Sequence, residues 1–150
     1  MKELVEQYAL LFHDLGEYKM MTLSTSLQNK VTSRTMSILV ADEKFYFQTG
    51  KPSRKYEQIK GNPMVSLCWE NVQIEGRCVE IGRPSENPEF CERYRQHFPD
   101  AYERYSNLEV EIAFEVNPVY IQKWTYENGV PCLETYDFIN MRYNKERYLG

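Results

Sequence analysis

Leu4, Val5, Tyr8, Leu11, Phe12 and Leu15 recur at three- and four-residue intervals. That is the spacing of one helical face, and Gly16 supplies a stop. Beyond it the period falls to two. Met21, Leu23 and Thr25 alternate with Met20, Thr22 and Ser24, which predicts a strand. Gln28-Asn29-Lys30 predicts a turn, and Val31 to Val40, rich in β-branched residues, its partner strand. Ala41-Asp42-Glu43-Lys44 predicts a second turn and Phe45 to Gln48 a third strand. A loop, Thr49-Gly50-Lys51-Pro52, leads into a short helix from Ser53, stopped by Gly61-Asn62-Pro63. Met64 to Trp69 and Val72 to Ile81 are the next predicted strands.

Asn87-Pro88-Glu89 reads as a helix start: a cap, a proline at the first helical position, an acid in the first turn. Phe90, Cys91, Tyr94 and Phe98 give that helix an apolar face; Pro99-Asp100 breaks it before a short helical piece through Tyr105. Val110, Ile112, Phe114 and Val116 alternate with Glu109, Glu111, Ala113 and Glu115, predicting a half-buried strand whose acids face solvent. Asn117-Pro118 predicts a turn into Val119 to Tyr126, and Asn128-Gly129 a hairpin into Cys132 to Phe138. The charged tail, Asn140 to Gly150, is expected to be helical or frayed. The sum is mainly β (α+β): a six- to eight-stranded antiparallel barrel, which leaves few exposed edges, with peripheral helices.

At 150 residues the chain is expected to be one domain, 1–150. With 18 basic and 22 acidic residues the net charge is −4, which argues against a general nucleic-acid binder. No apolar run approaches the ~20 residues of a membrane span. Glu3, Glu6, His13 and Asp14 near the start do not fit a secretory signal. The four cysteines (Cys68, Cys78, Cys91, Cys132) form no C-x-x-C pair, and the expectation is reduced thiols in a cytoplasmic protein with no metal. His97 is read as a surface or capping residue.

Charge placement changes the picture. Lys51, Arg54, Lys55 and Lys60 face a single acid, Glu57, within ten residues. With Ser53 as the cap, Arg54 and Lys55 fall in the first helical turn, where the helix dipole disfavours cations. Free amide donors, the hydroxyls of Thr49 and Ser53, an ammonium and a guanidinium at one point suit a phosphate. A solvated basic loop is the alternative for this motif alone. Arg34 shares a strand face with Met36 and Ile38, so it needs an anionic partner, either a protein carboxylate or a ligand.

The run Val31 to Leu39, then Phe45-Tyr46-Phe47-Gln48-Thr49-Gly50-Lys51-Pro52-Ser53-Arg54-Lys55, then Asn62-Pro63 and the strand Val72 to Gly76, resembles the FMN-binding split β-barrel of the pyridoxamine 5′-phosphate oxidase-like superfamily. The resemblance covers roughly residues 15 to 82. It implies a homodimer with flavin mononucleotide (FMN) at the subunit interface. By position, Arg34 and Lys55 would bind the phosphate, with Gln48, Thr49, Ser53 and Arg54 beside them. Main-chain groups of Thr35, Met36 and Ser37 would line the isoalloxazine edge, and Asn71 would reach the flavin of the other subunit. Trp69 would cover part of the ring or belong to the core. The superfamily's true oxidases have a lysine where Leu39 and Val40 stand here, and end in Arg-Leu-x-Pro where this chain has Lys145 to Gly150. The implied function is therefore that of a small flavoprotein oxidoreductase of undetermined substrate; the alternative is a module that binds or senses flavin, or another phosphate-bearing ligand, without turnover.

Overall fold

The computed structural model describes residues 1–148. Helix α1 (Lys2–Leu15) buries Leu4, Tyr8, Leu11 and Leu15, as its spacing requires. Strands β1 (Tyr18–Leu27), β2 (Lys30–Ala41) and β3 (Lys44–Gly50) follow, then α2 (Arg54–Gly61), β4 (Met64–Trp69) and β5 (Val72–Gly82). After α3 (Pro88–His97), a helical turn at Pro99–Ala101 widens into π-type winding at Tyr102–Ser106. Strands β6 (Glu111–Glu127), β7 (Val130–Asp137) and β8 (Arg142–Arg147) complete the chain.

The sheet order is β3-β2-β1-β4-β5-β6-β7-β8, and a further β3–β6 pairing closes the first six strands into a barrel. Two-residue turns set the registers. Gln28-Asn29, Asp42-Glu43 and Asn128-Gly129 all have positive φ at both positions, the twist that antiparallel hairpins favour. The first of these fixes Leu27 opposite Lys30, hence Thr25 opposite Thr32 and Leu23 opposite Arg34.

Inside the barrel, Met21, Leu23, Ile38, Phe45, Phe47, Leu67, Ile74, Phe114 and Val116 form the main core. Helix α1 lies against β7 and β8, where Tyr8 packs edge-on to Tyr136 and Phe138. Outside the wall, Phe90 and Tyr94 of α3 cover Leu39 and Ala113 in a second, smaller core. Helix α2 buries Gln58 and Ile59 and is tied to β5 by Lys60 and Glu80, 2.8 Å apart.

Asn117-Pro118 is not a turn: β6 runs straight through it. On one edge of β6, β3 pairs up to Phe45↔Val116 and β7 takes over from Tyr120↔Asp137. On the other edge Glu75 pairs with Tyr120 but Gly76 with Pro118, a bulge that skips one residue of β6. A proline costs little where the ladder is already interrupted. Gly76 is required there, because a Cβ would lie 2.5 Å from Val116 Cγ1 and 3.1 Å from Asn117 O.

The tail also differs from expectation. Arg142–Arg147 forms β8, held by its ladder to β7 and by Lys145 pairing with Glu127. Its side chains are almost all exposed, so no hydrophobic alternation marks it as a strand. Nor do the acids of β6 share a solvated face. Glu109 lies in the turn before the strand, Glu115 pairs with Lys44 at 2.7 Å, and Glu111 is only 5% exposed. All four cysteines are free thiols, and no helix among the described residues is long and apolar enough to cross a membrane.

Candidate functional site

Ser53 is the N-cap of α2: its side chain accepts the Tyr56 N–H at 3.2 Å. Its hydroxyl also lies 3.0 Å from the Thr49 hydroxyl. Only one hydrogen can occupy that contact, so the pair keeps one O–H for another acceptor. Arg54 and Lys55 follow in the first turn of the helix, as the sequence predicts. A short loop closes beneath them, with Ser53 N–H donating to Gly50 O at 3.0 Å and Lys51 N–H to Val110 O at 2.9 Å.

Arg34 projects from β2 on the barrel-interior face, directly opposite Leu23. Its Nη1 donates to Leu23 O at 3.2 Å and Thr25 Oγ1 at 2.8 Å. Its Nη2 donates to Thr32 Oγ1 at 2.6 Å and approaches Gln58 Oε1 at 3.5 Å. Thr25 and Thr32 in turn donate to Gln58 Oε1, at 2.6 and 2.8 Å. The guanidinium is thus fixed in orientation by β1, β2 and α2, through neutral acceptors that leave its charge uncompensated.

Among the described residues, no carboxylate lies within 4.0 Å of Arg34, Arg54 or Lys55. The carboxylate partner left open for Arg34 is therefore absent. The cations repel one another instead. Burial, and then the neighbouring Arg54, lower the Arg34 pKa. Burial lowers that of Lys55 as well, with Arg34 adding to the shift and Glu111 opposing it. An unpaired positive cluster next to the free N–H groups of a helix start is an arrangement for an anion with several oxygens.

Gln48 and Thr49 lie on β3 just below this corner, each 4% exposed. Ser106 Oγ donates to Gln48 Oε1 at 2.8 Å, while Gln48 Nε2 has no partner at hydrogen-bonding geometry. Thr35, Met36 and Ser37 run along β2 away from Arg34. On one edge they pair with Thr22, Met21 and Met20 of β1. On the other, β3 pairs only with Leu39 to Ala41, so the β2 main chain before them has no strand beside it on that side. Asn71 is not brought to the corner within one chain: it sits in the β4–β5 turn, its amide donating to Trp124 O. Trp69 is half-buried against the main core, with Lys19 Nζ 4.6 Å from its ring centroid. His97 is not a free surface group. It stacks on Tyr18 with ring centroids 4.3 Å apart, its Nε2 3.4 Å from Glu17 Oε2.

A cavity of about 350 Å³ lies elsewhere, between α3 and the outer face of β2 and β3, and includes none of Arg34, Arg54 and Lys55.

Residues 9–125 match the pyridoxamine 5′-phosphate oxidase family. The chain belongs to that family. The match extends well past the segment that carries the sequence resemblance, into β6. A curated member, the pyridoxine/pyridoxamine 5′-phosphate oxidase of Rhodopirellula baltica, is 37% identical over 83 residues. That stretch is 50% of this chain and only 37% of the relative, so this chain matches little more than a third of that enzyme's length. PhzG of Burkholderia lata 383, solved with tetrahydrophenazine-1-carboxylic acid, has the same fold: TM-score 0.66 at 14% identity, covering 99% of this chain and 91% of that one. A pyridoxamine 5′-phosphate oxidase-related, FMN-binding protein of Nostoc punctiforme PCC 73102 aligns with TM-score 0.61 at 14% identity, over 97% and 95% of the two chains.

Within the family frame, Thr25, Thr32, Gln58 and Glu111 are the site residues that sequence reasoning missed. The hairpin register carried a signal for the first two, since a two-residue turn at Gln28-Asn29 places both beside Arg34. Gln58 and Glu111 carried none, because their burial depends on how α2 and β6 close over the barrel.

Proposed function

We propose that this chain is an FMN-binding flavoprotein that works as a homodimer, with the flavin held between subunits. It would pass a hydride or electrons between a reduced nicotinamide or small organic donor and an acceptor. The observation that carries this reading is the unpaired cluster of Arg34, Arg54 and Lys55 around the Thr49–Ser53 hydroxyl pair. A phosphate monoester near −2 needs about two cations together with O–H and N–H donors, and this corner supplies them.

The rest of the cofactor has a place consistent with these residues. The β2 edge along Thr35, Met36 and Ser37 lacks a neighbouring strand on one side, so main-chain N–H and C=O groups are available to the polar edge of a flat ring. An open edge of this kind needs a cover. Met20, cross-strand from Ser37 on the outer face, is 54% exposed, and a second protomer there would enclose the ring in an apolar slot. Asn71 and Trp69 would then belong to the partner's flavin site. When bound, FMN supplies the redox chemistry. The chain's own residues neutralise the phosphate, orient the ring and exclude water.

The stretch Leu39-Val40, where the resemblance places the oxidases' lysine, is buried, Leu39 with Phe90, Tyr94 and Ala113 and Val40 in the main core. It offers no charge to a phosphorylated substrate, which is why oxidation of pyridoxamine phosphate is not the activity proposed. The test is the absorbance spectrum of freshly purified protein, with mass analysis of whatever denaturation releases. A flavin spectrum and released FMN are expected. Colourless protein that FMN cannot reconstitute contradicts the reading. Bound flavin that accepts electrons from neither reduced nicotinamides nor small organic donors assigns a binding or sensing role instead.

A further inference from the structure

The cavity behind α3 takes no part in the phosphate corner and shares no residue with it. Its volume is about 350 Å³. An apolar cavity of about 150 Å³ already holds a benzene ring, so a single-ring molecule fits here with room for a substituent. Part of the lining is apolar: Leu39 of β2, Ile81 of β5 and Phe90 of α3. Leu39 and Phe90 are buried together in the smaller core, so this wall is formed before any ligand arrives.

The rest of the lining is mostly negative. Four carboxylates, Asp42, Glu86, Glu89 and Glu115, face one lining cation, Arg93. Two of them are compensated: Glu89 pairs with Arg93 at 2.8 Å and Glu115 with Lys44 at 2.7 Å. Asp42 and Glu86 have no cation within 4.0 Å among the described residues. They belong to different walls, Asp42 to the β2–β3 turn and Glu86 to the turn at Pro84–Glu86 before α3. Glu86 Oε1 accepts the Arg83 N–H at 2.9 Å, which orients the carboxylate without neutralising it. Asn87 commits its amide group to Ile81 O at 2.8 Å and Arg83 O at 3.0 Å, so its remaining polar atom is an acceptor. The Tyr46 phenol, also in the lining, registers the field: burial raises its pKa first and Glu115 next, with Asp42 and Glu89 adding and Lys44 opposing.

We propose that this cavity binds a small organic cation, a single apolar ring carrying a protonated amine. The ring packs against Leu39, Ile81 and Phe90, and the ammonium meets Asp42, Glu86 and the Asn87 oxygen. The two uncompensated charges and that oxygen are all acceptors, so the ligand has to bring the donors. A phosphate ester or a carboxylate is repelled by the same groups. Asp42 and Glu86 are exposed to solvent, so the discrimination they give is modest and weakens with salt. The site stands apart from the flavin reading and is tested without flavin.

The test is NMR titration of ligand-free protein at low salt with 2-phenylethylamine, 2-phenylethanol and phenylacetate, which share a ring and differ in charge. The amine is expected to bind about 3- to 30-fold more tightly than the alcohol, and phenylacetate more weakly than either. The largest amide shifts are expected around Leu39, Ile81 and Phe90, and added salt should narrow the gap. The double variant Asp42→Asn/Glu86→Gln should lose the preference for the amine and keep its affinity for the alcohol. Both changes suit the fold: asparagine accepts the positive φ of 53° at position 42, and glutamine can still accept the Arg83 N–H. Equal binding of the three probes, a preference that survives in the double variant, or shifts centred elsewhere overturn the proposal. So does the absence of amine binding at about 10 mM, a loose limit for a ligand of this size.

Discussion

Arg34 donates to Thr25 across the β1–β2 hairpin at 2.8 Å, and Thr25 passes its own hydrogen to Gln58 of α2 at 2.6 Å. The arginine is therefore oriented before any ligand arrives, by groups that do not neutralise it. Such pre-organisation reduces the ordering cost of binding. It also explains how a guanidinium is tolerated on a face shared with Met36 and Ile38.

Removing the cations should weaken ligand binding steeply while leaving the fold intact. Arg34→Ala and Lys55→Ala should each cost about 1.5–3 kcal/mol, roughly 10- to 150-fold in Kd for FMN. Fluorescence titration of the ligand-free proteins reads this directly. Unchanged affinity in the double variant would remove the site assignment.

Ser53 has two separable roles, cap and ligand donor. Ser53→Ala loses the Tyr56 N–H acceptor and should cost about 0.5–2 kcal/mol of stability, on the order of 2–4 °C in Tm per kcal/mol at this chain length. Ser53→Asp keeps a cap and suits the helix dipole, yet puts an anion where the phosphate belongs. It should retain stability and lose FMN. Thermal melts with and without FMN distinguish the two variants.

Gly76→Ala tests the bulge. The added methyl would meet Val116 Cγ1 at 2.5 Å and the Asn117 carbonyl at 3.1 Å. Because the second neighbour is main chain and cannot swing aside, the substitution should destabilise by about 1–3 kcal/mol. A urea midpoint equal to wild type would show that β5 and β6 can separate there at little cost.

Glu111 should leave a signature in stability against pH even without ligand. In the unfolded chain it ionises near its ordinary value, 4.5, and in the fold at higher pH. Between the two values the folded state holds the extra proton, so stability falls as pH rises through that window and then levels off. Glu111→Gln should lack this decline. Chemical denaturation at a series of pH values measures the difference, and parallel curves would contradict the assigned direction.

Much of this was legible from residue order, and the exceptions have physical causes. The Ser53 cap and the cations behind it are local features, readable from side-chain chemistry alone. The alternation from Met21 to Thr25 gave a strand because one of its faces is buried. Asn117-Pro118 read as a turn because turns and bulges share the same residues. Only the exchange of β3 for β7 along one edge of β6 distinguishes them, and that is a long-range event. Strand β8 had no apolar period because its ladder to β7 and not side-chain burial holds it. Glu111 alternated with Glu109 and Glu115 as if on a wet face. Its burial follows from β3 pairing across it, a contact between strands 61 residues apart in sequence at Gly50 and Glu111.

The central claim is that the corner formed by Arg34, Ser53, Arg54 and Lys55 recognises the phosphate ester of a flavin. Titrating the ligand-free protein with FMN and with riboflavin, which differ only in that ester, tests it most directly. FMN should bind at least ~100-fold more tightly, as loss of two charge-assisted contacts requires, and Arg34→Ala/Lys55→Ala should erase the difference. Equal affinities for the two flavins, or no binding of either, would contradict it.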